Sequence, residues 1–277
     1  MSEEILVNVT PRETRVAVVE NGMLQEVLIE RASRRGYVGN IYKGRVIRVM
    51  PGMQAAFVDI GLDRAAFLHA SDILQPMASD AVGHENATAP VVATAPAIGE
   101  LLREGQDLVV QVVKDPIGSK GARLTTQLSI PSRYLVLLPY GRVLGVSARI
   151  EDDEERARLK GLIAELSQDA PAGYIVRTNA EGQPEDALRE DIAYLARVWE
   201  LVEEQARDAK VGSCIYEDLT LPMRAVRDLM RRDVEKVKVD SRETWERLRT
   251  FAAQYVPGLA EKIEHYSGER PVFDLYG

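Results

Sequence analysis

The chain has 277 residues, a net charge of −8, and the hydrophobic (45%) and charged (28%) content of a globular protein of two or three domains. Its one cysteine, Cys214, excludes an internal disulfide and any metal site built from several cysteines of this chain. No run reaches the roughly 20 apolar residues of a membrane span, and the N-terminal residues carry acids where a signal peptide carries bases, so we expect a cytoplasmic protein without a membrane span.

Three strands are predicted at the N-terminus, over residues 5–10, 13–20 and 23–30. Their apolar residues alternate as in a sheet with one or both faces covered. The dipeptide Asn21-Gly22 between the second and third strands is a strong signal for a two-residue hairpin turn. The N-terminal segment therefore predicts an antiparallel sheet.

A second β unit begins near Asn40, and a hairpin is predicted over residues 54–70. Alternate side chains of a strand point to opposite faces of its sheet. One face of this hairpin is apolar and is the predicted core, whereas the other face displays Phe57 and Phe67 among polar and small residues. The predicted core face holds Ala56, Val58, Ile60, Ala66 and Leu68.

The two phenylalanines suit the stacking of unpaired bases, because every base has a π-face. Phosphate contacts are expected from residues 31–71, in which seven basic residues accompany two acidic ones, although the whole chain is acidic. Single-stranded RNA is the partner that we favour, and burial of both rings under another sheet or domain is the alternative. The seven basic residues are Arg31, Arg34, Arg35, Lys43, Arg45, Arg48 and Arg64.

A low-complexity stretch rich in Ala, Thr and Pro follows at residues 75–99, and we expect a flexible loop there. Further strands begin at Val109 and Arg123, which brings the β unit to about five strands, the number in an OB-type barrel. Two lysines, Lys114 and Lys120, flank the turn between these strands. Both lysines are placed to reach the face that carries the phenylalanines, and ordinary solvated loop lysines are the alternative.

The remaining chain alternates strands with helices, and its first part predicts a β-α-β-α unit. The acidic run at residues 151–155 precedes a predicted helix, whose dipole favours acids at its start, so we interpret the run as a solvated helix start rather than a metal site. The predicted strands cover residues 134–138, 143–150, 174–178, 214–219 and 234–240. The predicted helices cover residues 153–167, 184–208, 221–232 and 241–255.

Arg177 and Thr178 stand where a predicted strand ends and a polar loop begins. A guanidinium fork beside a hydroxyl suits a phosphate group, and an ion pair of Arg177 with a carboxylate is the alternative. The three histidines are scattered, and the sequence contains no metal-binding histidine pair, nucleophile elbow or phosphate loop. We therefore predict no catalytic residue in this chain.

Several motifs follow the order found in one known family, and together they span essentially the whole chain. On these motifs the chain resembles the N-terminal half of the bacterial ribonuclease E/ribonuclease G endoribonucleases, and the ribonuclease G branch more closely. The motifs are N-I-Y-K-G-R-V from Asn40, A-A-F-V-D-I-G from Ala55, F-L from Phe67, L-R-E-G-Q from Leu102, K-G-A-R-L-T-T from Lys120, Y-L-V-L-L-P from Tyr134 and I-V-R-T from Ile175.

The resemblance implies an α+β multidomain fold with three parts. Residues 1–35 and 214–277 would form an RNase H-like subdomain that lacks nuclease residues. Residues 36–128 would form an inserted five-stranded OB-fold β-barrel of the ribosomal-protein type that binds RNA. Residues 129–213 would form an α/β 5′-sensor region.

The resemblance also implies which residues contact the body of the RNA. By match to the family's motifs, Phe57, Phe67 and Lys120 would contact the single strand. The basic character of the β unit adds Lys114 and Lys43 to these expected RNA-binding residues.

A second set of residues would recognise the RNA end. Arg177 and Thr178 would hold a 5′-monophosphate, and Val136 would pack near the terminal nucleotide. Arg149 would contribute from a corner where the family often has S-R-R and this chain has Ser147-Ala148-Arg149.

For the parent protein, the resemblance implies a 5′-monophosphate-stimulated, single-strand-specific endoribonuclease of rRNA processing and mRNA decay that forms a homodimer or higher homo-oligomer. Its chemistry would use Mg²⁺ bound by a DNase-I-like domain beyond the position that matches Gly277, so no cofactor is expected in this chain. The chain alone would bind RNA without cleaving it. A standalone RNA-binding or regulatory protein is the alternative; a reading frame that continues past Gly277 would favour the first interpretation, and a natural stop codon the second.

Overall fold

The computed structural model describes residues 3–74, 96–168, 172–230, 234–255 and 257–275. The strands in these residues are β1 (Glu3–Val9), β2 (Glu13–Glu20), β3 (Met23–Arg31), β4 (Ile41–Met50), β5 (Ala55–Asp59), β6 (Ala66–His69), β7 (Asp107–Lys114), β8 (Arg123–Thr125), β9 (Ile130–Pro131), β10 (Leu135–Leu138), β11 (Leu144–Val146), β12 (Gly173–Val176), β13 (Cys214–Tyr216), β14 (Val234–Val239) and β15 (Ile263–His265). The helices are α1 (Ile98–Leu101), α2 (Asp153–Leu166), α3 (Glu185–Asp208), α4 (Leu221–Leu229) and α5 (Arg242–Tyr255).

The first sheet has the strand order β15-β14-β1-β2-β3. β1, β2 and β3 form antiparallel hairpins, whereas β14 runs parallel to β1 and β15 runs parallel to β14. Asn21 and Gly22 both have positive φ angles, 50° and 80°, as the two central residues of a type I′ turn require. The predicted N-terminal hairpin is therefore confirmed.

Both faces of the first sheet are covered at its centre. Ile5 and Val7 pack in one cluster with residues of α4 and α5, whereas Leu6 and Ala17 pack with Val272 on the opposite face. All five side chains are at most 3% exposed, and full burial of one large aliphatic side chain contributes about 1.5–3 kcal/mol. Strands from residues 3–31 and 234–265 therefore share one core.

The second sheet closes into a barrel. β4, β5, β6, β8 and β7 pair in that order, and β7 pairs again with β4. Only the pairing of β6 with β8 is parallel within this ring of described strands. This closed five-stranded arrangement is consistent with an OB-like barrel. The predicted core face of the hairpin is buried to 1% exposure or less, at Ala56, Val58, Ile60, Ala66 and Leu68.

The connection from β6 to β7 differs from its prediction as a loop over residues 75–99. Residues 75–95 lie outside the described part of the chain, and α1 begins at Ile98. The prediction is wrong for its last two residues, because Ile98 is fully buried among the barrel residues. Ile98 was assigned to the loop because the low-complexity stretch that precedes it shows no apolar periodicity.

The third sheet has the order β11-β12-β10-β9. β11 and β12 are parallel and are connected through α2, and α3 follows β12, so the predicted β-α-β-α unit is confirmed. The sequence predicts one strand over residues 123–130, but β8 ends at Thr125, and Ile130 pairs with Leu137 of β10 instead. β13 pairs with the start of β4 in the barrel. Among the described helices, none combines the length and apolarity that crossing a membrane requires.

Candidate nucleic-acid interface and phosphate site

Phe57 and Phe67 lie directly opposite each other on β5 and β6. Their ring centroids are 6.1 Å apart and the ring planes meet at 70°, an edge-to-face arrangement. Both side chains are half-buried, whereas Val58 and Leu68 beside them are fully buried. The alternation of the hairpin therefore leaves one aromatic pair on the outer surface of the barrel.

The strand register extends this pair into a row across the barrel. Arg48 of β4 is opposite Phe57, Arg123 of β8 is opposite Phe67, and Lys114 of β7 is opposite Arg123. Residues directly opposite on neighbouring strands share a face of the sheet. We call Arg48, Phe57, Phe67, Arg123 and Lys114 the aromatic row; its two rings are flanked by cations on both sides.

Acidic neighbours neutralise part of the predicted positive charge. Asp72 accepts a hydrogen bond from Arg123 Nε at 2.9 Å and forms an ion pair with Arg123 Nη2 at 2.8 Å. Asp107 accepts two hydrogen bonds from Arg45, at 2.6 and 3.1 Å, and these bonds lower the pKa of the Asp107 carboxyl. Within the described residues Arg48 and Lys114 form no ion pair, so the free positive charge of the aromatic row lies at its two ends.

The two other predicted lysines have different positions. Lys120 is exposed on a turn whose Gly118 carbonyl accepts a hydrogen bond from Arg64, so this turn is joined to the β5–β6 hairpin. The ammonium of Lys43 donates instead to the carbonyls of Ala206 (3.0 Å) and Arg207 (3.4 Å), at the end of α3. The structure brings Lys114 and Lys120 to the hairpin and does not bring Lys43 there. The RNA contact of Lys43 stays a prediction.

Arg177 directly follows β12 and is held at one end of its guanidinium. Its Nη1 donates to Asp228 Oδ1 of α4 at 2.7 Å, to the carbonyl of Ser132, and to the carbonyl of Arg133 at 3.4 Å. Nε and Nη2 make no hydrogen bond to any described residue, and the side chain is 27% exposed. The carboxylate pairing considered from the sequence is therefore present, and it leaves two donors of the fork available.

Thr178 lies beside the corner that contains Arg149. Its hydroxyl is 3.3 Å from the hydroxyl of Ser147, which also accepts from the backbone N–H of Arg149 at 3.3 Å. Val136 of β10 is opposite Ile175 of β12, and Ile175 is 37% exposed. The structure thus brings Thr178, Arg149 and Ser147 together, next to a half-exposed apolar strip.

Two carboxylates that the sequence analysis did not single out support this site. Asp191 of α3 is only 7% exposed. Its carboxylate accepts a hydrogen bond from the Ser132 hydroxyl and two more, at 3.0 Å each, from the N–H groups of Tyr134 and Leu135. Burial raises the pKa of the Asp191 carboxyl. The sequence contained a signal for this buried carboxylate, because Asp191 is three residues after Leu188 and therefore lies on the apolar face of α3.

The second carboxylate, Asp228, is shared by two guanidiniums. Besides Arg177, it accepts from Arg227 Nε at 3.1 Å and from Arg227 Nη2 at 2.9 Å. Burial raises the pKa of Asp228, but the hydrogen bonds from Arg227 and Arg177 outweigh burial and hold the pKa below its ordinary value. No sequence pattern linked Asp228 to Arg177, because 51 residues separate them.

Glu155 connects α2 to the loop after Thr178. Its carboxylate accepts from Arg158 at 2.6 and 2.7 Å and from the Gly182 N–H at 2.8 Å. The hydrogen bonds from Arg158 are the main cause that lowers the Glu155 pKa to about 2. The acidic run 151–155 is a helix start, as predicted, since Asp152 accepts from the first N–H groups of α2.

We expect Glu155→Gln to lower the free energy of unfolding at neutral pH by about 1 kcal/mol, the usual scale of a partly solvated pair. A depressed pKa adds stability above the ordinary glutamate range, and this stability is lost as the pH falls toward about 2. The difference between wild type and variant should therefore vanish at acid pH in urea unfolding series. Glu154→Gln, at the exposed neighbouring position, is the matched control; an equal loss in both variants would contradict the assignment.

The described residues do not fit a metal ion. No three His, Cys, Asp or Glu side chains converge among them on one binding point. The buried and half-buried carboxylates near Arg177 already accept from protein donors, Asp191 from N–H groups and Asp228 from guanidiniums.

The closed barrel puts the chain in the class of α+β proteins with an OB-like barrel, and the aromatic pair lies on the second and third barrel strands, the face that binds oligonucleotides in that fold. A sequence model of a protein family, described as "Ribonuclease E/G family", matches residues 129–277, more than half of the chain. The chain belongs to the ribonuclease E/G family.

Individual relatives agree with this membership. Ribonuclease G of Salmonella typhimurium (strain SL1344) is 54% identical over 276 residues, which cover 100% of this chain and 55% of the relative. Ribonuclease G of Haemophilus influenzae is 50% identical over 274 residues, 99% of this chain and 55% of the relative. Ribonuclease E of Escherichia coli (strain K12) is 35% identical over 280 residues, 99% of this chain and 25% of the relative. The chain spans about half the length of the ribonuclease G relatives that it matches.

Proposed function

We propose that this chain is the RNA-capturing part of a ribonuclease G-type, single-strand-specific endoribonuclease that is stimulated by a 5′-monophosphate. The observation that carries this proposal is the aromatic row on the outer face of a closed OB-like barrel. Phe57 and Phe67 stack successive bases, while Lys114, Lys120 and Arg48 contact the phosphates. An edge-to-face pair of half-exposed rings is suited to bases of any sequence, which supports a single-stranded substrate.

The second element of the proposal is a 5′-monophosphate site at the end of β12. The free Nε and Nη2 of Arg177 match two phosphate oxygens, since a guanidinium donates in a planar fork. Thr178 donates through its hydroxyl, and Arg149 adds a cation from the Ser147 corner. The terminal nucleotide packs on the half-exposed strip around Val136.

We also propose the three-part division for this chain. The RNase H-like subdomain comprises residues 1–35 and 214–277; a sheet that joins antiparallel hairpins to helix-connected parallel strands supports it. Residues 36–128 bind RNA, and residues 129–213 form the 5′-sensor region. Phosphodiester hydrolysis, its Mg²⁺ and homo-oligomer formation belong to the part of the ribonuclease G relatives that this chain does not span. The cellular roles proposed are rRNA processing and mRNA decay in the cytoplasm.

The test is the affinity of the chain for one short single-stranded RNA with either a 5′-monophosphate or a 5′-hydroxyl end, at fixed salt. Wild type should prefer the monophosphate by about tenfold or more, the value of one or two charge-assisted hydrogen bonds. Arg177→Ala should remove this preference and leave the affinity for the hydroxyl-ended RNA unchanged. Equal affinities in wild type would contradict the 5′-sensor proposal. The chain would then be a general RNA-binding barrel, as expected for a standalone RNA-binding protein.

A further inference from the structure

Asp228 and Arg227 are neighbours on α4 and form one rigid acceptor for Arg177. The Arg227 guanidinium contacts both oxygens of Asp228 in a fork, at 3.1 Å to Oδ1 and 2.9 Å to Oδ2. Arg227 is 5% exposed and its Nη1 also donates to the carbonyl of Pro131 at 3.3 Å. The carboxylate is therefore fixed before it meets Arg177, which uses Oδ1 alone.

The other acceptors of Arg177 are fixed as well. Its Nη1 also donates to the carbonyls of Ser132 and Arg133. Asp191 holds this segment from α3 through the Ser132 hydroxyl and the N–H groups of the next two residues. All three acceptors thus converge on one nitrogen of Arg177, from two elements that are themselves hydrogen-bonded in place.

Such anchoring determines how the rest of the guanidinium is presented. The group is planar, so acceptors around Nη1 restrict the plane and the direction of the Nε–Nη2 edge. That edge makes no hydrogen bond to the described residues, and it is the edge that can donate two parallel bonds to an oxyanion. An unanchored arginine would lose side-chain entropy when it bound the same oxyanion.

We propose that Asp228 is a positioning residue of the phosphate site, which holds Arg177 so that its Nε–Nη2 edge faces the 5′-phosphate. This inference rests on the proposed function. It also makes the site composite, because α4 packs in the core of the first sheet, whereas Arg177 follows β12 of the third sheet. The orientation of the sensor arginine is then set jointly by the segment before β10, in the unit that carries Arg177, and by α4 of the first sheet.

The test compares wild type with Asp228→Asn, which keeps the size of the side chain and removes its charge. The ratio of affinities for 5′-monophosphate and 5′-hydroxyl RNA should fall about two- to tenfold, the entropy of one long side chain that must now be ordered on binding. Affinity for hydroxyl-ended RNA should not change. This ratio does not depend on the fraction of protein that is folded, because a loss of folded protein lowers the apparent affinity for both RNAs by the same factor.

Glu30→Gln is the matched control, because Glu30 forms a comparable ion pair with Arg224 of the same helix at 2.8 Å and does not contact Arg177. Its ratio should equal that of wild type. An unchanged ratio in Asp228→Asn would overturn the inference. An increased ratio would also overturn it and would show that Asp228 competes with the phosphate for Arg177.

A measurement without RNA separates this inference from the proposed function. In ¹⁵N-labelled wild type, rotation of the Arg177 guanidinium should be slow on the NMR timescale, and it should become faster in Asp228→Asn. If wild type shows no preference for the monophosphate while the rotation behaves as expected, the proposed function fails and the anchoring stands. If the rotation is equally fast in both proteins, the anchoring itself is refuted.

Discussion

Phe57→Ala is expected to weaken the binding of a short single-stranded RNA about five- to 150-fold, equivalent to roughly 1–3 kcal/mol for one stacked base. The ring is half-exposed and has its edge-to-face partner, Phe67, 6.1 Å away. Its removal therefore deletes one stacking surface and frees the second ring to reorient. Fluorescence anisotropy with a labelled RNA at constant ionic strength measures the change.

Phe57→Leu separates stacking from general hydrophobic contact. Leucine keeps most of the apolar area but has no π-face, so we expect it to bind RNA nearly as weakly as the alanine variant. The preference for a 5′-monophosphate should persist in both variants, because Arg177 lies on another sheet. Wild-type affinity in Phe57→Ala would mean that RNA does not bind on the aromatic row.

Asp191→Ala should have the largest effect on stability. The substitution leaves the N–H groups of Tyr134 and Leu135 without their acceptor at a buried position, whereas the Ser132 hydroxyl keeps the Leu135 carbonyl at 2.9 Å. Unpaired buried donors cost about 1–3 kcal/mol each, and partial relaxation reduces the sum, so we expect a loss of about 3–5 kcal/mol in the free energy of unfolding. Glu190→Ala, at the exposed neighbouring position of α3, should change it by less than about 0.5 kcal/mol.

The pH dependence of this loss follows from the raised pKa of Asp191. In wild type, a carboxyl with a raised pKa adds stability below the ordinary aspartate range, and this contribution is lost as the pH rises through the folded-state pKa. The deficit of Asp191→Ala should therefore be largest at acid pH and become smaller as the pH rises. Urea unfolding of both proteins across this range provides the measurement. A deficit that grows with pH would mean that Asp191 is ionised at no cost in the folded state.

Local patterns were sufficient where a single segment determines its own structure. Asn21-Gly22 predicted the hairpin turn because both positions accept positive φ, and the alternation of residues 54–70 identified the buried and the outer face of the barrel hairpin. The periodic helices were predicted to within a few residues of α2 and α3. In these segments, neighbouring residues alone fix the conformation.

Contacts between distant segments were the part that the sequence did not reveal. Ile98 is a barrel core residue at the end of a low-complexity stretch, and Ile130 joins β10 rather than extending β8. Arg177 was recognised by its residue type and by family resemblance. Its anchor Asp228 comes from α4, 51 positions further along the chain, and no sequence pattern signals the pair. Positioning residues of a site depend on tertiary packing, which residue spacing does not encode.

The parallel pairing of β1 with β14 has a consequence for how the protein is made. Asn8 of β1 meets Asp240, which follows β14, across 232 residues of sequence. At a synthesis rate of roughly 5–20 residues per second, β1 waits on the order of 10–50 s for this partner. During that interval the barrel and the third sheet can form from residues already synthesised, while Ile5 and Val7 still lack α4 and α5. The nascent N-terminal hairpins therefore expose an unpaired strand edge and an uncovered apolar face, and this is the stage at which we expect the chain to depend most on chaperones.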